Sequence, residues 1–251
     1  MATVQSECGK IKLFNDFCGP EIPVANAVAY GTTAGGCNYY LGDYAVRGML
    51  GETDSGAVAM GVPSGVIRLT GTDQSTKGCA LTTDLQFKPS VNGTIVVEAR
   101  VQSQVLTARR VFVGFCGTLA DDVLSPLTGA TTTLTLTASH LCGLFWDSAL
   151  TAAGYWHAVY NGGETTGVTT STLVTTGVLV VAAKYNVCRV EIDRNGTARY
   201  YIDGVLKKTV KTAVSTTTLQ AAIVGVWATT TTVTDLDVDY MLVTAARDWT
   251  V

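Results

Sequence analysis

The chain has 251 residues, a formal net charge of −3 and 15% charged residues, against roughly 25% in an average soluble protein. That length supports one large β-domain whose core needs no disulfide or metal to fold. Mean hydropathy is +0.28, yet no apolar run approaches the ~18 residues of a bilayer-spanning helix, and no basic cluster is present to capture nucleic acid electrostatically.

The apolar surplus therefore belongs to a large core, to subunit contacts, or to both. The opening MATVQSECGKIKLF has no apolar h-region, so no signal peptide is expected. Residues 1–20 read as an arm or a first strand, pinned by Ile11 and Leu13, and 21–251 as a single domain. Glycine is dense from Gly31 to Gly65, where strands would be short. Strands are predicted at 65–70, 94–101 and 110–115, followed by a long loop through 121–129. Further strands are predicted at 132–137, 141–146, 155–160 and 177–183. The runs are short and β-branched, punctuated by Gly, Asn and Asp, and none has helical spacing. Threonine runs such as Thr229–Thr232 suit a pleated strand and penalise a helix.

The strongest local pattern follows. Over 186–193, Cys188, Val190 and Ile192 alternate with Arg189, Glu191 and Asp193. Asn195-Gly196 and Asp203-Gly204 read as two tight turns whose residues tolerate positive φ. They link 186–193, 197–202 and 205–210 into an antiparallel meander. Strands at 221–228 and 236–244 close the domain, the last with Leu236, Val238, Tyr240 and Leu242 on one face and Asp235, Asp237 and Asp239 on the other.

The segments Val187-Cys-Arg-Val-Glu-Ile-Asp193, Asn195-Gly196 and Tyr200-Tyr-Ile-Asp-Gly204 resemble the penultimate hairpins of concanavalin A-like (laminin G-like) jelly rolls. Gly65-Val-Ile-Arg-Leu-Thr70, Val97-Glu-Ala-Arg-Val101, Val111-Phe-Val-Gly-Phe115, Cys142-Gly-Leu-Phe-Trp146 and Val238-Asp-Tyr-Met-Leu242 are similar to one subgroup, the jelly-roll virion proteins of tailed bacteriophages. The resemblance implies an all-β, two-sheet antiparallel sandwich with a short N-terminal arm. It implies a non-enzymatic capsid decoration (cement) protein on the capsid exterior, with the major capsid protein and itself, as a homotrimer, for partners. The alternative is a glycan-binding module of a head or tail fibre. No cofactor, metal, nucleic acid or membrane is expected.

Several constellations bear on chemistry. Jelly-roll glucanases carry E-x-D-x-E or E-x-D-x-x-E on one strand, because a nucleophile and an acid must stand about 5 Å apart. Here Glu191-Ile-Asp193 runs into Asn195 or Gly196, so the second Glu is missing and a polar outer face beside a turn is expected. Asp235, Asp237 and Asp239 offer oxygen ligands for Ca²⁺, but residues two apart on a strand stand nearly 7 Å from each other, and a solvated or edge-strand face is expected instead. His140 and His157 read as ordinary strand residues, since no G-x-S-x-G elbow accompanies them. Trp146, Tyr155, Trp156 and Tyr160 would stack on sugar rings if exposed and form core or subunit interface if buried; burial is favoured. Arg109-Arg110 is either a contact for an acidic capsid surface or ordinary surface charge at a strand entrance. The seven cysteines (Cys8, Cys18, Cys37, Cys79, Cys116, Cys142, Cys188) include no CxxC pair, which points to free thiols made in a reducing cytoplasm, with Cys116, Cys142 and Cys188 in the core.

Overall fold

The computed structural model describes residues 9–18, 40–48, 57–62, 65–71, 77–119 and 125–247, with backbone alone at 57–62. Expectations for residues 1–8 and 19–39, including Cys8 and Cys37, lie outside the described residues. In chain order the strands are β1 (Lys10–Asn15), β2 (Tyr40–Leu41), β3 (Tyr44–Arg47), β4 (Ala57–Val62), β5 (Val66–Thr70), β6 (Gly78–Thr82), β7 (Ile95–Gln102), β8 (Arg109–Cys116), β9 (Leu127–Ala130), β10 (Thr133–Leu136) and β11 (Leu141–Asp147). They continue as β12 (Tyr155–Asn161), β13 (Thr175–Leu179), β14 (Asn186–Ile192), β15 (Ala198–Ile202), β16 (Val205–Val210), β17 (Ala221–Ala228) and β18 (Asp235–Ala246). One helical turn, α1 (Pro89–Asn92), opens on the proline that fits the first position of a helix.

Two antiparallel sheets face each other. The first has the order β16-β15-β14-β7-β18-β5-β4, with β1 beside the second half of β18; the second has the order β13-β12-β11-β8-β17-β6-β3-β2. Between them lie Val97 and Ala99 of β7, Cys188 and Val190 of β14, Val111 and Val113 of β8, and Leu144 and Trp146 of β11. Tyr44 of β3 ties the layers together, its hydroxyl donating to the carbonyls of Leu13 and Met241 at 2.9 and 3.0 Å. Among the described residues no helix is long and apolar enough to cross a membrane.

A second apolar cluster covers the other face of the second sheet. Phe112, Phe145 and Trp227 project outward from β8, β11 and β17 and meet Leu127, Leu134 and Leu150. The cover is the β9–β10 hairpin, pinned by its bridges to Leu150 and Thr170. Every residue of β8, β11 and β17 is consequently buried, which is why these segments read as continuous apolar runs and not as alternating ones. The loop expected through 121–129 thus ends in the first strand of this hairpin.

The meander forms as expected, with one turn of a different kind. Asp203 and Gly204 both have positive φ, 51° and 77°, as a two-residue primed turn requires. At the other corner only Gly196 does, at 74°. Asp193 N–H donates to Thr197 O and Gly196 N–H to Asp193 O, so the loop has three residues and a left-handed glycine bulge.

β18 departs further. Its register shifts between Val238 and Tyr240, and this bulge inverts the face. Leu236 and Val238 point inward, but beyond the shift Met241, Val243 and Ala245 take the core positions. Tyr240 and Leu242, expected on the inner face, stand outside with Glu98 beside them.

Candidate functional site on the outer face of the first sheet

In a strand the residues i and i+2 share a face, so β7 presents Glu98 and Arg100 outward, β14 presents Arg189 and Glu191, β15 presents Tyr201, and the bulged β18 presents Tyr240. Cross-strand register sets Arg189 opposite Glu98 and Tyr201. The outcome is a polar chain across four strands. Tyr240 Oη donates to Glu98 Oε1 at 2.8 Å, and Arg189 Nη1 lies 3.4 Å from Glu98 Oε2. Arg189 Nε and Nη2 donate to Glu191 Oε1 at 2.8 and 2.5 Å, and Tyr201 Oη donates to Glu191 Oε2 at 3.3 Å.

Burial and then the Glu98 carboxylate raise the pKa of Tyr240; burial and then Glu191 do the same to Tyr201. Burial alone would lower Arg189, but the carboxylates of Glu191 and Glu98 outweigh it and leave the guanidinium more basic. At neutral pH both phenols are therefore hydrogen-bond donors and Arg189 a permanent cation. Two depressions meet on this cluster and share Arg189 and Glu191. One, of about 590 Å³, is lined by Lys10, Lys12, Thr94 and Thr244; the other, of about 380 Å³, by Glu98, Tyr201 and Asp203.

A second carboxylate, absent along the strand of Glu191, stands on the neighbouring one, where Glu98 shares Arg189 with Glu191. Asp193, expected as its companion, is engaged elsewhere, 2.8 Å from Arg199 and accepting from Thr94. Strand reading alone does not find Glu98; the signal was a lone Glu flanked by Val97 and Ala99 in a predicted strand, with an unknown neighbour.

The acidic stripe lies on the same face and is consumed by arginines. Asp237, 1% exposed, takes a bidentate pair from Arg68 at 2.7 and 2.9 Å and a bond from Gln104. Asp239 pairs with Arg100 at 2.6 Å, and Asp235 with Arg109. The edge-strand expectation is thus corrected: β18 lies inside the sheet, between β7 and β5 with β1; Asp235 and Asp239 stay partly exposed, and Asp237 is the buried carboxylate that has to be paired. Among the described residues no cluster of His, Cys, Asp and Glu has the arrangement of a metal site.

The Arg109-Arg110 expectation is also corrected. The side chains are 4% and 6% exposed and paired internally, Arg109 with Asp235 and Arg110 Nε with Asp147 Oδ2 at 3.2 Å, so neither is a surface charge. His140 lies in the turn before β11 and not in a strand. Trp146 and Trp156 are in the core, where Trp146 Nε1 donates to Ala153 O and Trp156 Nε1 to Asn186 Oδ1. The expected burial therefore holds for both tryptophans, while Tyr155 and Tyr160 are half-buried. Burial pushes the Cys116 thiol up to about 11 and the Cys142 thiol to about 12, which removes both as nucleophiles at neutral pH.

His157 is fully buried on β12, and neither ring nitrogen has a hydrogen-bond partner. Burial lowers its pKa below 6.5, the nearby backbone of Phe145 and Tyr155 offsetting only part of that. The unfolded chain therefore binds the extra proton first, and stability must fall as pH drops below about 6.5. Asp147, raised by burial, acts in the opposite sense. A comparison of urea midpoints at pH 7 and pH 5 isolates the histidine: His157→Leu should lose less stability across that interval than the native chain. An equal loss would place the acid sensitivity elsewhere.

No family model matches this sequence, and no curated protein matches it. Solved structures do match over nearly the whole chain. A protein of unknown function from Shewanella oneidensis is 11% identical with a TM-score of 0.59, covering 98% of this chain and 90% of its own. The β-glucanase of Bacillus licheniformis is 14% identical, with a TM-score of 0.54 and coverage of 94% and 98%; peanut lectin is 10% identical, with a TM-score of 0.52 and coverage of 96% and 98%. The fold is therefore a concanavalin A-like jelly roll of the lectin and glucanase kind. The expectation of a non-enzymatic chain is corrected by the same finding, because a glucanase is among the proteins built on this scaffold. Nothing in these likenesses concerns capsids.

Proposed function

We propose that this chain is a glycan-recognising jelly roll carried on a phage particle, with the Tyr240–Glu98–Arg189–Glu191–Tyr201 chain as its recognition face. The observation that carries this reading is the convergence of Glu98, Glu191, Arg189 and Tyr201 on paired open depressions, with Tyr240 bonded to Glu98. Sugar hydroxyls both donate and accept. Carboxylates accept from those hydroxyls and Arg189 donates to them, while tyrosine rings offer an apolar face to the ring C–H groups. Placement on a virion rests on the sequence resemblance, and the shared scaffold with a lectin and a glucanase supports the choice of ligand class.

Titration of soluble β-glucans and mucin-type O-glycans into the protein tests the reading. Arg189→Ala should weaken binding at least about tenfold, ~1.4 kcal/mol, because it uncouples both carboxylates. No saccharide binding by the native chain would sink it. Release of reducing ends that disappears in Glu98→Gln and in Glu191→Gln would extend the role from recognition to hydrolysis, in which one carboxyl must carry a proton.

A second reading, capsid decoration with the major capsid protein and further copies of this chain as partners, is supported by the same resemblance. It is also supported by aliphatic side chains left exposed on one flank, Leu173, Leu179, Val181, Val205 and Leu206. Stoichiometric binding to preformed capsids and a higher capsid melting temperature are its expected results, since a ligand of the assembled shell stabilises it by mass action. Co-purification with tails alone would exclude it.

A further inference from the structure

The first sheet ends on β16 and the second on β13, and the helical turn Ser171–Leu173 that leads into β13 reaches β16. Lys208 makes this contact: it extends from β16 and its Nζ donates to Leu173 O at 2.8 Å. An edge strand directs half of its N–H and C=O groups away from its neighbour and is a template for another strand. Around this edge stand Leu173, 73% exposed, Leu179, Val181, Val205 and Leu206. The segments 171–184 and 204–214 contain Lys184, Lys207, Lys208 and Lys211 and no carboxylate, in a chain whose net charge is −3.

We infer that this flank receives an extended acidic and aliphatic segment of a partner protein, added as a strand beside β16. Backbone groups of β16 supply the pairing, the exposed aliphatics supply burial, and the lysines select the partner by charge. A second copy of the chain fits poorly as the occupant. Antiparallel self-pairing of β16 centred on its lysines would set Lys207 opposite Lys208 of the other copy, and like charges facing across a strand pair are destabilising. The inference deepens the decoration reading by naming a contact surface. Its test uses a peptide and no capsid, so it succeeds or fails apart from that reading.

The probe is a short fluorescein-labelled peptide of alternating valine and glutamate, with a valine–lysine peptide as control, followed by anisotropy. The glutamate peptide should bind, more weakly at high salt because surface charges are screened, and the lysine peptide should not. The double variant Lys207→Glu, Lys208→Glu should weaken binding at least about tenfold, and Leu206→Asp should weaken it too. Far-ultraviolet dichroism and melting of both variants verify that they are folded. Equal binding of the two peptides, no binding of the glutamate peptide, or binding indifferent to both variants would overturn the inference. A dimer of the native chain that dissociates in the Lys207→Glu, Lys208→Glu variant would do so as well.

Discussion

Replacing Asp147 by alanine is expected to cost about 3–5 kcal/mol, on the order of 10 °C in melting temperature for a domain of this size. Asp147 is fully buried and pairs with Arg110 at 3.2 Å, while accepting the N–H groups of Gly129 at 2.9 Å and Ala149 at 2.8 Å. Its loss strands a guanidinium inside the second apolar cluster, where Arg110 Nη1 already has no hydrogen-bond partner. It also frees the β9–β10 hairpin at Gly129. Burial lowers the pKa of Arg110, but a guanidinium remains charged at neutral pH, so its desolvation cost cannot be escaped by losing a proton. The double replacement Arg110→Met, Asp147→Leu should recover most of the loss, since apolar side chains of similar volume often match a buried ion pair. Urea denaturation of the native chain, Arg110→Met, Asp147→Leu and the double variant provides the check. Additive costs in the double variant would show that the pair is not the source.

The second large effect concerns two glycines that face each other across β8 and β11, Gly114 and Gly143. A Cβ at Gly114 would stand 2.3 Å from Cys142 O and 2.4 Å from Gly143 Cα; one at Gly143 would stand 2.4 Å from Phe112 Cε2 and Cζ. The first obstacle is backbone and the second is an aromatic ring. Gly114→Ala should therefore destabilise by roughly 3 kcal/mol, at the upper end for overpacking, because only separation of the strands relieves it. Gly143→Ala should be partly rescued by Phe112→Ala, so that the double variant loses less than the sum of the singles. Thermal unfolding decides both, and a Gly114→Ala protein as stable as the native chain would refute the packing argument.

How far the site was legible differs residue by residue. Arg189 and Glu191 were placed outward by the alternation over 186–193, and the structure keeps them there. Glu98 was hidden because its importance depends on β7 lying beside β14, a pairing that joins positions 91 residues apart. Tyr240 was assigned to the wrong face because alternation assumes an unbroken period of two, and one bulge inverts everything beyond it. Arg109, Arg110 and Asp237 resemble surface charge for a related reason: in sequence, a buried ion pair is indistinguishable from two exposed charges until its partner is known.

The all-β class, most strand positions, the 186–210 meander and the buried thiols are legible in the residues alone. These follow from local properties, β-branched composition, turn chemistry and two-residue alternation, which act over a few residues. The strand order, the β9–β10 cover over the second sheet, the joining of Glu98 to Glu191 through Arg189, and the contact of β16 with the turn at Leu173 come only from the tertiary structure. Each depends on which distant strands become neighbours, and that is settled by how two whole sheets bury their faces together, a sum over the entire core that no short window contains.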